Sequence, residues 1–390
     1  LWRLLPPGRE ARADNGKVDE AIQKLMSLHA GQFVTDDPKA DLDSYGLLTP
    51  ELSLSLAHGT NPVLLLDFGK NSGTNRVYAR RHDLSSVITV DRDSLAPWRA
   101  GYEVFRDRHL VPITGPIDSI EFKGRENFTV QRQPGNAWKV LPDGFAADPA
   151  AVNQLVNQLN DLKAAEFFKA VITAPDLPAV GLAPPSSEII LKFAVTNRAE
   201  SPTNAAVVKL EFGTNHEGTV FVLRTDETSL YTIKPADYEA FPTRAWELRD
   251  RQIWNFDAAD VAKFIIQMDG KTRGIDHQGT NRWSLAAGSQ GIINDLAMEE
   301  VAYRLGRLGA AAWVDRGDQN AEALGFNTNS YHLTVQLRDG KSLGLDLGAL
   351  DPSGVPYGRV QLDGQPWIFE LPPGPAQFIK DFLIIPPYLH

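Results

Sequence analysis

The chain is 390 residues long, beyond the size at which one hydrophobic core stops growing, so about two to four domains are expected. Its 43% hydrophobic and 23% charged content is that of a folded globular protein, and its net charge of −10 argues against the clustered Lys and Arg of a nucleic-acid footprint. The absence of cysteine removes disulfides, thiolate catalysis and Cys-based zinc or iron–sulfur sites together, and no apolar run approaches the roughly 20 residues that span a bilayer.

In chain order, Leu1 to Leu5 reads as a strand closed by Pro6, Pro7 and Gly8. Asp14 then precedes a helical pattern in which Val18, Ile22, Leu25 and Leu28 share one face. An acidic loop with Asp36, Asp37, Asp41 and Asp43 leads to Tyr45-Gly46-Leu47 and Pro50. Leu52, Leu54 and Leu56 alternate with Ser53 and Ser55 as a sheet with one wet face, followed by strands at 63–68, 77–80 and 87–90. A second helix is expected over roughly 95–104, and Phe105-Arg106-Asp107-Arg108-His109-Leu110 closes the unit.

The next stretch opens with a hairpin, 117–122 and 128–133, then a strand from Trp138 to Leu141. Asp148 followed by Pro149 is a helix start, because the carboxylate accepts free backbone N–H groups and proline lacks one at the first position. Gly181-Leu182 and Pro184, four strands within 188–233, a short helix from Pro235 and the closure Leu248-Arg249-Asp250-Arg251-Gln252-Ile253 follow. A third stretch repeats the order: strands at 261–268 and 274–277, Trp283-Ser284-Leu285, a helix over about 294–309, Gly325-Phe326, and strands at 331–337 and 342–347. There, 378–383 takes the place of the Arg-Asp-Arg closure without its charges.

One skeleton thus recurs: Leu25-Leu28-Ala30-Phe33, Leu159-Leu162-Ala164-Phe167 and Leu305-Leu308-Ala310-Trp313, each after a tryptophan (Trp2, Trp138, Trp283) that reads as a core anchor. Gly46 to Gly69 and Gly325 to Gly348 both span 23 residues, whereas Gly181 to Gly213 spans 32, with the excess in a polar insertion at 197–204 that reads as a surface loop. The expected fold class is α+β: three tandem repeats, each a mostly antiparallel sheet of four to six strands packed against two helices, at 1–113, 114–255 and a divergent 256–390. The first repeat lacks a hairpin before its tryptophan, so its N-terminal strands are expected upstream of Leu1.

The Trp strand, the Leu/Leu/Ala/aromatic helix, the Gly-Leu with a following Pro, the strand ending in Phe-Gly and the Arg-Asp-Arg closure resemble a bacterial repeat domain of unknown function. That domain occurs in membrane-anchored envelope proteins, often encoded beside ABC-transporter components of the gliding-motility type. The resemblance implies a periplasmic or other extracytoplasmic setting, an inner-membrane anchor upstream, and a partner that is a transporter subunit or another envelope protein. It supplies no catalytic residues.

The polar candidates read as structural. Arg106-Asp107-Arg108 and Arg249-Asp250-Arg251 could hold an anion, but such a triplet after a helix more often forms a local ion-pair network. The acidic loop lacks the glycine and terminal glutamate of an EF-hand, and no histidine falls in a His-Glu-x-x-His pattern. No Gly-x-Ser-x-Gly elbow occurs. No catalytic residue, cofactor or metal is called. The irregular tryptophans Trp98, Trp246, Trp254 and Trp367 are the candidates for a partner or ligand surface, including a glycan bound in a cleft between units.

Overall fold

The computed structural model describes residues 2–6, 10–113, 115–194, 207–327 and 331–383; Leu1, Pro7, Gly8 and the polar insertion at 197–204 lie outside them. The chain forms two compact bodies, Leu1–His109 and Leu110–His390. The first coincides nearly with the expected first repeat. The expected second and third repeats share the second body, because Trp246, Ile253 and Trp254, placed before the expected boundary at 255, are buried in the core of the following sheet.

In the second body, a nine-stranded sheet runs, from edge to edge, Phe145–Ala146, Trp138–Leu141, Phe128–Arg132, Ile117–Lys123, Ser187–Phe193, Val207–Thr214, Val220–Arg224, Leu230–Ile233 and Glu166–Lys169. An eight-stranded sheet runs Arg282–Leu285, Lys271–Gly279, Val261–Met268, Tyr331–Leu337, Ser342–Leu350, Pro356–Leu362, Gln365–Glu370 and Ala312–Arg316. The connections follow one order in both, and every pairing is antiparallel. The first body holds a five-stranded sheet, Gln32–Thr35, Val87–Asp91, Arg76–Arg81, Asn61–Gly73 and Leu52–His58, and a separate two-stranded ladder, Arg3–Leu4 with Ala11–Arg12. These sheets are larger than the expected four to six strands wherever the opening hairpin joins the later strands through Ile117–Lys123 or Val261–Met268.

Each of the nine-, eight- and five-stranded sheets is accompanied by one main helix, Pro149–Asp161, Asp295–Gly306 and Asn15–Met26 respectively. Asp148 caps the first from its side chain, Asn294 the second, and Asp14 the third, so the orphan N–H groups are met locally. The apolar spacing then buries Val152, Leu155 and Leu159 on one helix and Met298, Val301 and Leu305 on another. The second helix expected over 95–104 is shorter: Ala96–Arg99 is flanked by 3-10 turns, with Gly101 at φ +82 interrupting it.

The repeated glycines are explained by one close approach. Gly46, Gly181 and Gly325 end a turn with positive φ, and Gly69, Gly213 and Gly348 lie against that turn on the neighbouring strand. A Cβ on Gly213 would stand 2.3 Å from the Val180 carbonyl oxygen, a contact that backbone cannot relieve. Gly213→Ala is therefore expected to destabilise the second body by about 1–3 kcal/mol in urea unfolding, while Gly115→Ala, whose Cβ meets nothing within 4 Å, stays within about 0.5 kcal/mol of the parent.

Candidate functional site

The Arg-Asp-Arg closure of the second body sits where the two large sheets meet. Its backbone is held from both directions: Asp250 N–H donates to the Ala146 carbonyl at 2.8 Å and Asp148 N–H to that of Leu248 at 2.9 Å, next to the cap of the Pro149 helix. On the other side, Ala310 N–H donates to the Arg251 carbonyl and Ile253 N–H to the Leu308 carbonyl, both at 2.8 Å, at the end of the Asp295–Gly306 helix. The triplet of the first body does the first half of this: Asp14 N–H donates to Phe105 and Asp107 N–H to Arg12.

The side chains continue the joint. The Arg249 guanidinium lies over the rings of Trp367 at 4.2 Å, Phe145 at 5.3 Å and Trp313 at 5.8 Å, and donates to Asp363 at 2.7 Å. Arg316 also lies over Trp367, at 5.3 Å, and donates to Asp143 at 2.7 Å and to the Gln365 amide oxygen at 2.8 Å. Arg251 bridges the helix cap Asp148 at 2.8 Å and the Ala311 carbonyl at 2.6 Å. Asp143 and Asp363 come from the turns that join Trp138–Leu141 to Phe145–Ala146 and Pro356–Leu362 to Gln365–Glu370, so turns of both sheets supply the counter-charges. Asp143, Phe145, Arg249, Arg316, Asp363, Gln365 and Trp367 line a cleft of about 300 Å³.

The tryptophans expected to form a partner surface are placed otherwise. Trp246, Trp254 and Trp367 are buried core residues, with Trp367 1% exposed. Sequence spacing cannot separate an irregular surface tryptophan from one that fills a joint between sheets. Trp98 is half-buried against Phe105, with ring centroids 5.5 Å apart. Trp138 and Trp283 are the buried anchors that their spacing predicts, and Trp283 stacks nearly parallel on Phe264 and His277. Trp2 is 47% exposed, its indole N–H donating to Asp19, and Phe33 is exposed as well.

Residues 2–185 and again 138–328 match the family described as Domain of unknown function (DUF4340). The chain belongs to this family. No curated protein and no solved structure matches it. The recurring motifs of this chain thus resolve physically, the Arg-Asp-Arg closure as a joint and the Gly turn with Phe-Gly as a close packing.

A second polar cluster escaped sequence reading because its members meet only across strands. On the eight-stranded sheet, His332 Nδ1 lies 2.5 Å from Asp346, Thr334 Oγ1 lies 3.1 Å from His332 Nε2, and Arg359 donates to Asp346 at 2.9 and 3.0 Å. The order hydroxyl, imidazole, carboxylate is that of a nucleophilic triad. The strand that carries Thr334 and His332 pairs on both sides, with Val261–Met268 and with Ser342–Leu350. Asp41 in the acidic loop is likewise spent locally, accepting from Asp43 N–H and the Ser44 hydroxyl. Among the described residues, no group of three or more His, Cys, Asp or Glu is arranged to hold a metal ion.

Two outcomes follow for these clusters. Arg249→Lys keeps the charge but loses the planar stack and fork, and is expected to cost about 1–2 kcal/mol in urea unfolding of the second body. Asp363→Asn should cost less than about 1 kcal/mol, since Asp363 is 72% exposed; equal losses would assign the joint to the ion pair. The hydrogen bond to Asp346 raises the His332 pKa above 6.5 against the opposing effect of burial. Its stabilisation is complete below 6.5 and is lost as pH rises through the raised folded value, so thermal stability should fall across that window and the fall should vanish in His332→Gln.

Proposed function

We propose that the chain is built from three copies of one unit and acts as a non-enzymatic interaction module. In this reading it is the soluble part of a membrane-tethered accessory protein of an ABC-type transport system, lying on the extracytoplasmic side of the bacterial inner membrane. The resemblance drawn from the sequence motifs supports the setting. Among the described residues, no helix is long and apolar enough to cross a membrane.

The observation that carries the interaction reading is a difference between copies. Counted from their caps, Asp148 and Asn294, Ala146, Ala150 and Asn157 of the nine-stranded half correspond to Ile292, Leu296 and Tyr303 of the other. These three are 92%, 71% and 48% exposed; Ile292 lies just before the Asp295–Gly306 helix, and Leu296 and Tyr303 lie on it, seven residues apart. Exposed apolar side chains grouped on one face cost solubility and mark a surface that another protein covers. The partner is a transporter subunit or another envelope protein.

One specific feature favours a second reading, a glycan or small polar ligand. The Pro149–Asp161 helix presents Asn153, Gln154, Asn157 and Gln158, with Asp161 and Asp237, along a groove of about 730 Å³. Carboxamides and carboxylates in a row match a ligand rich in hydroxyl groups. Affinity capture from native membranes separates the readings. The parent chain should recover an integral-membrane transporter component or another envelope protein, and Leu296→Asp with Tyr303→Asp should lose it while unfolding at an unchanged urea midpoint. Recovery undiminished by both substitutions would remove the helix face from the interface. Binding of cell-wall fragments that is lost in Asn157→Ala and Gln154→Ala would favour the glycan.

A further inference from the structure

The first body carries a place for two strands between its two-stranded ladder and its five-stranded sheet. In the nine-stranded sheet the strand Ser187–Phe193 is central: Val207–Thr214 pairs with one side and the opening hairpin strand Ile117–Lys123 with the other. The second hairpin strand, Phe128–Arg132, then pairs with Trp138–Leu141. The eight-stranded sheet repeats this with Val261–Met268 and Lys271–Gly279. In the first body, Leu52–His58 holds the corresponding place, pairs with Asn61–Gly73, and forms the edge of its sheet. The tryptophan strand, Arg3–Leu4, pairs with Ala11–Arg12 alone.

Burial at matched positions shows what those strands do. Register equates Leu54 with Ile189 and Leu333, and Leu56 with Leu191 and Val335. The four residues of the large sheets are at most 3% exposed, whereas Leu54 is half-buried and Leu56 is 37% exposed. Trp2 is 47% exposed where Trp138 and Trp283 are each 7% exposed. In the eight-stranded sheet it is Phe264, from the first hairpin strand, that stacks on Trp283 with centroids 5.2 Å apart. The core of the first body divides into two small clusters, around Phe68 and Phe105, whereas each large sheet has one extensive cluster with a small satellite beside it.

We propose that this place is filled by a β-hairpin of the same polypeptide, in the segment that leads into Leu1. The sheet edge calls for it: a hairpin there would pair antiparallel with Leu52–His58 on one side and Arg3–Leu4 on the other, joining the ladders into one sheet. The cis source is argued from connectivity, since Gly279 precedes Arg282 by one tight turn and Arg132 precedes Trp138 by a short one. Its core-facing residues are apolar at alternate positions, with a bulky one over Trp2, as Ile120, Phe122, Phe128 and Val130 are in the second hairpin. The inference rests on reading the first body as a copy of the other two and is independent of any partner.

Amide hydrogen exchange compares the polypeptide as encoded with the chain beginning at Leu1. Protection of alternate amides of Leu52–His58 by a hundredfold or more in the longer chain, with a blue shift of the Trp2 emission isolated by difference from Trp2→Phe, is the expected result. Equal exchange and equal emission in both chains would overturn the proposal, as would an encoded chain that begins at Leu1. Protection that grows with protein concentration would also overturn it, since the edge would then pair between copies. Neither result depends on membrane capture, so failure here and failure of the interaction reading are distinguishable.

Discussion

The backbone from Leu248 to Ile253 is hydrogen-bonded on one side to the start of the Pro149–Asp161 helix and on the other to the end of the Asp295–Gly306 helix. Two large sheets therefore share a short extended segment whose polar groups are satisfied from both, and a shift of either would break several bonds together. The charged side chains follow from this. Arg249 and Arg316 lie against the ring of Trp367, where an unpaired guanidinium would be costly, and Arg249, Arg251 and Arg316 each have a carboxylate within 2.8 Å. Burial of Trp246, Ile253 and Trp254 in the following core completes the joint.

The consequence for function is one of subtraction. The most conspicuous polar motif of the sequence holds two halves of one body together, and Trp246, Trp254 and Trp367 are buried. Equivalent positions of the two halves differ in what they expose: carboxamides along a groove on one helix, Leu296 and Tyr303 on the other. Internal repetition makes this comparison possible within a single chain, because the buried positions keep their character while the solvent-facing positions diverge.

Local signals were legible from the sequence alone. Asp14 and Asp148 are caps because a carboxylate one residue before a helix reaches free N–H groups whatever the rest of the fold does. The Gly-to-Gly spacing was visible as a number, although its cause, a carbonyl pressed against the strand, needs the folded backbone. The Thr334, His332, Asp346 and Arg359 cluster was invisible, since register between three strands brings it together.

The sequence by itself determined the α+β class, the antiparallel pairing, the main helices and their buried faces, because each depends on periodicity and capping within a dozen residues. Only the tertiary structure decided that the second and third stretches form one body and that Trp246, Trp254 and Trp367 are interior. It also decided that Trp2 is left exposed whereas Trp138 and Trp283 are buried. Those outcomes turn on partners far apart in sequence, such as Arg249 and Asp363 at a separation of 114 residues, or on a neighbouring strand that covers a face in one sheet and not in another. A one-dimensional pattern records which side of an element is apolar. It does not record what comes to lie against it.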